Sequence, residues 1–162
     1  MIQRVQSIFL AMAVIAMGLM LFFPLWQKAS IETSEVATLD AFHLTYEVPD
    51  PITGSTHNIL KNTFYIALLG SLSAALSIYS IFQYKTRLRQ IQLGALNSLI
   101  IGITLGTLMY LVFKAETLLE PTQQGNYLFG FYLPLAALFC NFAANRFIRK
   151  DEKLVKSMNR IR

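Results

Sequence analysis

The 162-residue chain is 54% hydrophobic and only 14% charged, with 14 Lys and Arg against 9 Asp and Glu for a net +5. A soluble domain of this length carries about 25% charged residues. The composition therefore points to lipid as the solvent. It excludes an ordinary cytosolic enzyme, a soluble nucleic-acid binder despite the basic balance, and, with one Cys, a disulfide-built secreted module.

Four windows contain no charged residue: 8–26, 64–84, 91–113 and 127–145. Each matches the roughly 20 residues that a helix needs to cross a hydrocarbon core about 30 Å thick. Backbone groups cannot be left unpaired in lipid, and barrel strands would alternate apolar with polar residues, which these windows do not. The first window follows a single basic residue, Arg4, exceeds the length of a signal-peptide core and lacks a small-x-small cleavage pattern, so it is predicted to be a retained helix. The expected fold is an all-α membrane protein: one antiparallel four-helix transmembrane bundle over 1–162, with a small extracytoplasmic loop at 27–63 and a tail at 146–162.

The connecting segments set the orientation. The N-tail, the loop 85–90 and the tail 146–162 fall on one side if four helices alternate. That side holds 11 of the 14 basic residues against Asp151 and Glu152, a net +9; the other holds Lys28, Lys61 and Lys114 against seven acids, a net −4. Short basic loops stay cytoplasmic, so both termini are expected inside a bacterial inner membrane. Phe22, Phe23, Trp26, Phe64, Tyr65, Tyr110, Phe113, Tyr127 and Tyr132 fall at the outer helix ends, where amphipathic rings suit the headgroups; Tyr79, Phe82 and Tyr84 do so inside.

Within the loop 27–63, Phe42, Leu44, Tyr46 and Val48 alternate with His43, Thr45 and Glu47, which reads as a strand with one apolar face. The segment 31–39 is its candidate partner, giving a small β-hairpin. His43, Glu47, Asp50 and His57 have the chemistry of metal ligands but no recognised spacing, and exposed strand positions account for them, so no metal is predicted.

Helix association in lipid depends on close backbone approach and hydrogen bonds. Gly102 and Gly106 form a Gly-x-x-x-Gly pair in the third window, with Gly94 two turns earlier. Gly70, Ala74 and Ser77 share a stripe in the second, with Ser73 beside it, and Ala13, Ala16 and Gly18 offer small side chains in the first. These faces suit packing within the bundle; a dimer through Gly102 and Gly106 is the alternative. Pro134 inside the fourth window predicts a kink. Three amides, Asn97, Asn141 and Asn145, lie within the spans, and Asn97 is expected to bond Asn141 or Asn145 across the third and fourth helices, or else each amide bonds local backbone. Such bonds contribute about 0.6 kcal/mol on average.

No Asp, Glu, His, Lys or Arg lies inside a span, which argues against proton relays, ion-coupled transport and voltage sensing. No His or Lys at membrane depth stands ready to activate Ser71, Ser73, Ser77, Ser80 or Ser98, Cys140 is alone, and no nucleotide-binding glycine loop is present, so no catalytic residue and no cofactor is expected. In the tail, Phe147, Leu154 and Ile161 recur at seven, with Ile148, Val155 and Met158 widening an apolar stripe among Arg149, Lys150, Lys153, Lys156, Arg160 and Arg162. Such a basic amphipathic helix enforces topology, and it suits the anionic inner leaflet or a partner subunit.

The opening string Met1-Ile2-Gln3-Arg4-Val5-Gln6-Ser7, and the basic segment Lys85-Thr86-Arg87-Leu88-Arg89-Gln90-Ile91-Gln92 leading to Asn97, resemble a family of small four-span inner-membrane proteins of Bacteroidota with no assigned function. The resemblance implies a membrane fold rather than an activity. Gln3, Arg4, Gln6, Arg87, Arg89, Gln90 and Gln92 fall at the inner interface, where they form one polar cluster or serve as separate anchors. The expected function is a non-enzymatic accessory or scaffold subunit of an envelope complex. The alternative is a small transporter or channel subunit for a lipid-like or neutral solute, and an interfacial enzyme lacks a visible nucleophile–base pair. Expected partners are membrane lipids, anionic lipid at the tail, and a membrane-protein partner or a second copy, with no nucleic acid.

Overall fold

The computed structural model describes residues 2–30, 35–49, 56–84, 86–117 and 124–159, with backbone alone at 2–4, 48–49, 56–60 and 158–159. Four helices, α1 (Ile2–Met20), α2 (Phe64–Phe82), α3 (Arg87–Glu116) and α4 (Phe129–Asn159), carry most of the chain. They pack in the cyclic order α1–α2–α3–α4, with α4 closing back on α1. Three of them, over Phe64–Phe82, Arg87–Glu116 and Phe129–Ser157, are long and apolar enough to cross a membrane; in α1 the apolar stretch Val5–Met20 is shorter.

The fold is not all-α. Strands β1 (Trp26–Ala29), β2 (Val36–Leu39), β3 (His43–Pro49), β4 (Thr56–Asn62) and β5 (Asn126–Tyr127) form one antiparallel sheet in the order β4-β3-β2-β1-β5. The expected hairpin is the β2–β3 pair within it, registered with Leu39 opposite Leu44 and Val36 opposite Glu47. β1 through β4 connect α1 to α2, and β5 lies between α3 and α4, so the sheet sits at one end of the bundle. The α2–α3 turn and the end of α4 make the other, the tail end.

The first window also ends sooner than expected. α1 stops at Met20, before Pro24, and the chain turns through Leu21 and Phe22. A proline lacks the donor and crowds the preceding turn, which favours a helix end ahead of it. Leu25 N–H then donates to the Leu39 carbonyl at 2.8 Å, and Trp26 pairs with Leu39 and Tyr127. Trp26 is fully buried in the cap rather than placed at a helix end facing outward. α3 and α4 outrun their windows, because helical backbone does not stop where the apolar residues do. The tail helix continues unbroken from the fourth window, with Phe147 stacked on Phe9 at 5.6 Å and Ile148 buried.

The bundle inverts the usual partition of side chains. Ile8, Ile15, Leu68, Leu99 and Phe139 are more than half exposed, whereas Ser73, Ser77, Asn97, Thr104 and Asn141 are buried. Small residues such as Ala13, Ala67 and Ala137, with Met17, Ile101 and Leu108, fill the rest of the interior.

Candidate functional site

The buried polar groups converge between α2, α3 and α4. Asn97 Oδ1 accepts from Ser73 Oγ at 2.8 Å, while its Nδ2 donates to Ser77 Oγ at 2.9 Å and, at a longer 3.4 Å, to Asn141 Oδ1. Asn141 Nδ2 donates to the Gly94 carbonyl and to Ser98 Oγ, both at 2.8 Å. One turn toward the tail end, Gln90 Nε2 donates to the Ser80 carbonyl at 3.1 Å. Helical spacing explains the convergence: Ser73, Ser77 and Ser80 share one face of α2, and Gln90, Gly94 and Asn97 share one face of α3. Both amides thereby spend every N–H within the chain. The Ser71 and Thr104 hydroxyls donate to carbonyls one turn back, at 2.6 and 2.8 Å.

Glycines set the close approaches, though not all of those the sequence suggested. A Cβ on Gly94 would collide with the Asn145 amide, so this residue brings α3 against α4; Gly70 lies under the Met20 and Leu21 side chains and brings α2 against α1. Ala74, on the Gly70 face, is half-buried against the same core. Gly102 and Gly106 do not pack inside the chain. They are exposed, with nothing within 4 Å of an added Cβ, and Gly18 is similarly open. The reason is rotational: at about 100° per residue, Gly102 and Gly106 fall roughly half a turn from Thr104, which faces inward. Pro134 is buried near the start of α4, where the helix is unbroken. Its preceding turn holds Gly130, whose Cβ position is occupied by the carbonyls of Phe23 and Pro24.

At the tail end the proposed single polar cluster divides. Gln3 and Arg4 have no described side chains. Gln6 and Gln90 are buried, with Gln6 Nε2 lacking a partner among the described residues. Arg87 turns to α4, with Nη2 at 3.1 Å from Asp151 Oδ2 and Nη1 donating to the Asp151 carbonyl at 3.0 Å. Arg89 and Gln92 line a different groove with Tyr79 and Gln83. A larger groove of about 650 Å³ opens between α3 and α4, lined by Ala95 and Ser98 on one side and by Phe142, Asn145, Arg146, Arg149, Lys150 and Lys153 on the other. Asn145 is buried at its floor, and the four cations are exposed.

The sheet end contains a buried cation. Lys28 on β1 is 3% exposed, and its Nζ lies 3.1 Å from the Glu116 carbonyl and 3.4 Å from Glu116 Oε1. Glu116 Oε1 also accepts the Gly125 N–H at 2.9 Å, and Gly125 lies so close to the Trp26 indole that a Cβ would overlap it. Tyr46 on β3 donates to Glu35 Oε2 at 2.7 Å, which pushes its hydroxyl up to about 12. Asp40, next to a groove lined by Phe22, Phe23 and Phe42, is raised above the ordinary carboxylate range by burial, with His43 opposing. His43 and Glu47 are exposed on β3, whereas Asp50 and the His57 side chain lie outside the described residues. Among the described residues no three metal-ligating side chains gather.

A family profile described as a domain of unknown function, DUF4293, matches residues 2–161. The chain belongs to the DUF4293 family. No curated protein matches it significantly. Membership accounts for the chain as one unit, since the profile spans every helix and strand from α1 to the tail, and it assigns no chemistry.

What the arrangement offers this DUF4293 chain is hydrogen bonding and charge. The amides at Asn97 and Asn141 were visible as polar residues in apolar windows. Their hydroxyl partners Ser73, Ser77 and Ser98 were visible as residues but not as partners. Lys28 and Glu116, 88 residues apart, gave no local signal at all.

Proposed function

We propose that the chain is a four-span protein of the bacterial inner membrane, of the Bacteroidota kind that its opening string resembles. In this reading both termini are cytoplasmic, the sheet lies outside, and the protein serves as a non-enzymatic accessory or scaffold subunit of an envelope complex. The observation that carries the reading is the inverted bundle: large apolar side chains cover the outside while amides and hydroxyls fill the inside. In water such a surface would be an aggregation liability; in lipid it is the solvated face. α1, at 19 residues, spans about 28 Å, close to the hydrocarbon thickness, so it serves as the fourth span although its apolar stretch is the shortest. The basic residues at the tail end support the cytoplasmic assignment.

Support for an accessory role over transport comes from the interior. Asn97 and Asn141 bond to one another and to neighbouring hydroxyls, so among the described residues their polar groups are turned to each other rather than to the groove at the tail end. A transporter or channel subunit for a lipid-like or neutral solute would need a polar path between the helices.

The test is co-purification. The protein is tagged at native expression, extracted in mild detergent, and its companions are quantified by mass spectrometry. One near-stoichiometric membrane partner is the expected result. Recovery of the chain alone, or only with itself, would overturn the subunit reading and advance the transport reading.

A further inference from the structure

We propose that the groove between α3 and α4 at the tail end is a binding site for one anionic phospholipid, its phosphate held by Arg146, Arg149, Lys150 and Lys153. The inference rests on the membrane orientation given above and adds a ligand to it. Three observations carry it.

The first is uncompensated charge. The tail has only two acids, and both are engaged away from the groove: Asp151 by Arg87, and Glu152 by Lys156 Nζ at 2.8 Å. Among the described residues, none of the four groove cations has a carboxylate within ion-pair distance. All four project from one face of α4, at spacings of three, one and three residues, so their charges reinforce one another over about 10 Å of helix. Guanidinium pairs grip phosphate oxygens through bidentate hydrogen bonds, and ammonium groups add point charge.

The second is depth. The groove is not a patch on a solvated surface but a cleft of about 650 Å³ that runs from charged residues down to Phe142 and Ala95, with the Asn145 amide and the Ser98 hydroxyl on its floor. That gradient, from cationic rim through polar floor to apolar wall, matches the passage from headgroup through glycerol to acyl chain. Basic clefts between transmembrane helices on the cytoplasmic side are a known chemistry for anionic lipid headgroups.

The third is the pair of outward glycines. Ser98, Gly102 and Gly106 follow at i, i+4 and i+8 and so share a face of α3. Below the cleft this face is flat, since nothing lies within 4 Å of an added Cβ at either glycine. It forms a shallow trough in line with the headgroup site, where an acyl chain can lie against backbone. A trough that would otherwise suit a second copy of the chain is thereby given a different occupant.

The test uses the full chain in nanodiscs and in neutral detergent, with bound lipid counted by native mass spectrometry. The probes are cardiolipin, phosphatidylglycerol, phosphatidylcholine and inorganic phosphate. One retained anionic phospholipid per chain is expected, with cardiolipin favoured over phosphatidylglycerol and phosphatidylcholine excluded. Each basic residue near an anionic lipid contributes about fivefold in affinity. Arg149→Gln with Lys153→Gln should therefore weaken retention about 25-fold. The charge-matched control Lys85→Gln with Arg89→Gln should change it less than about twofold, because neither residue belongs to α4 and Arg89 lines a different groove. Gly102→Leu with Gly106→Leu should also release the lipid while leaving the cations in place.

Equal losses from the groove pair and the control pair would overturn the site in favour of general attraction to the tail end. Displacement by inorganic phosphate at matched concentration would assign the site to soluble anions. If the leucine pair dissociated a dimer and left lipid retention intact, the trough would be a self-association face instead. Carbonate extraction of the same cells separates this proposal from the reading beneath it: a carbonate-resistant chain with no anionic preference refutes the lipid site alone, and a chain released by carbonate refutes the membrane reading as well.

Discussion

Asn97 joins three helices through one side chain, and its replacement tests what that is worth. Asn97→Ala leaves Ser73 Oγ, Ser77 Oγ and Asn141 Oδ1 without this partner in the buried interior. Interhelical hydrogen bonds in membranes average about 0.6 kcal/mol and reach about 1.7, whereas a buried group left unpaired costs about 1–3 kcal/mol. A loss of about 1–2 kcal/mol is therefore expected, read as the midpoint of unfolding when SDS is titrated into detergent-solubilised protein. Two glycines make a sharper contrast by the same measurement. Gly130→Ala drives a methyl into the Phe23 and Pro24 carbonyls, which are backbone and cannot turn aside, and should cost about 1–3 kcal/mol. Gly102→Ala meets open space and should be neutral or stabilising by a few tenths to about 1 kcal/mol. Tyr46 gives a pH readout. Its bond to Glu35 favours the protonated phenol in the folded chain, so the stability it supplies is fully present below pH 10 and is lost as pH rises through about 12. In the ultraviolet phenolate titration one of the seven tyrosines should ionise near 12, and Tyr46→Phe should remove that step. At this scale the sequence was informative about which residues are polar in an apolar window, but silent about rotation. Gly-x-x-x-Gly says that a helix has a flat face; it does not say whether the face turns toward a neighbour or away, and here Gly94 and Gly70 make the in-chain approaches.

The elements meet most firmly where Lys28 and Glu116 join β1 to the end of α3. The ammonium is buried and the carboxylate is partly open. Removing the carboxylate leaves the buried ammonium its bond to the main-chain carbonyl of residue 116 but takes away the negative charge beside it, whereas removing the buried charge itself leaves no desolvated ion. Glu116→Ala should therefore destabilise the cap by about 2 kcal/mol, and Lys28→Met by less. The midpoint of thermal loss of Trp26 fluorescence reports this, since Gly125 lies on that indole beside the Glu116 carboxylate. Lys28→Met costing more than Glu116→Ala would contradict the assignment of burial. The helices were legible because length and freedom from charge are one-dimensional properties. The sheet was only partly so. Phe42 to Val48 alternates cleanly and gives β3 at His43–Pro49, but β1 and β5 are too short to show a period, and Leu25 and Trp26 are buried at the sheet end rather than turned outward. Pro24 was the available signal that the first helix ends early.

For the molecule as a whole, the surface and the charge distribution make one argument. Apolar side chains face outward along all four helices, and most of the basic residues fall toward the end opposite the sheet. The proposed arrangement, with the bundle in lipid, the basic end inside and the sheet outside, is the one in which both features are solvated as the positive-inside rule requires. The composition displayed at once the apolar character that makes three of the helices long and apolar enough to cross a membrane. The proposed accessory role rests on surfaces rather than on motifs, which is why no string of residues announces it. The most direct test of the arrangement is labelling of single cysteines by a membrane-impermeant maleimide in intact spheroplasts, in a Cys140→Ser background. Thr45→Cys on β3 should label without permeabilisation, and Ser157→Cys in the tail only after it. Labelling of Ser157→Cys in intact spheroplasts, or protection of Thr45→Cys, would contradict the account.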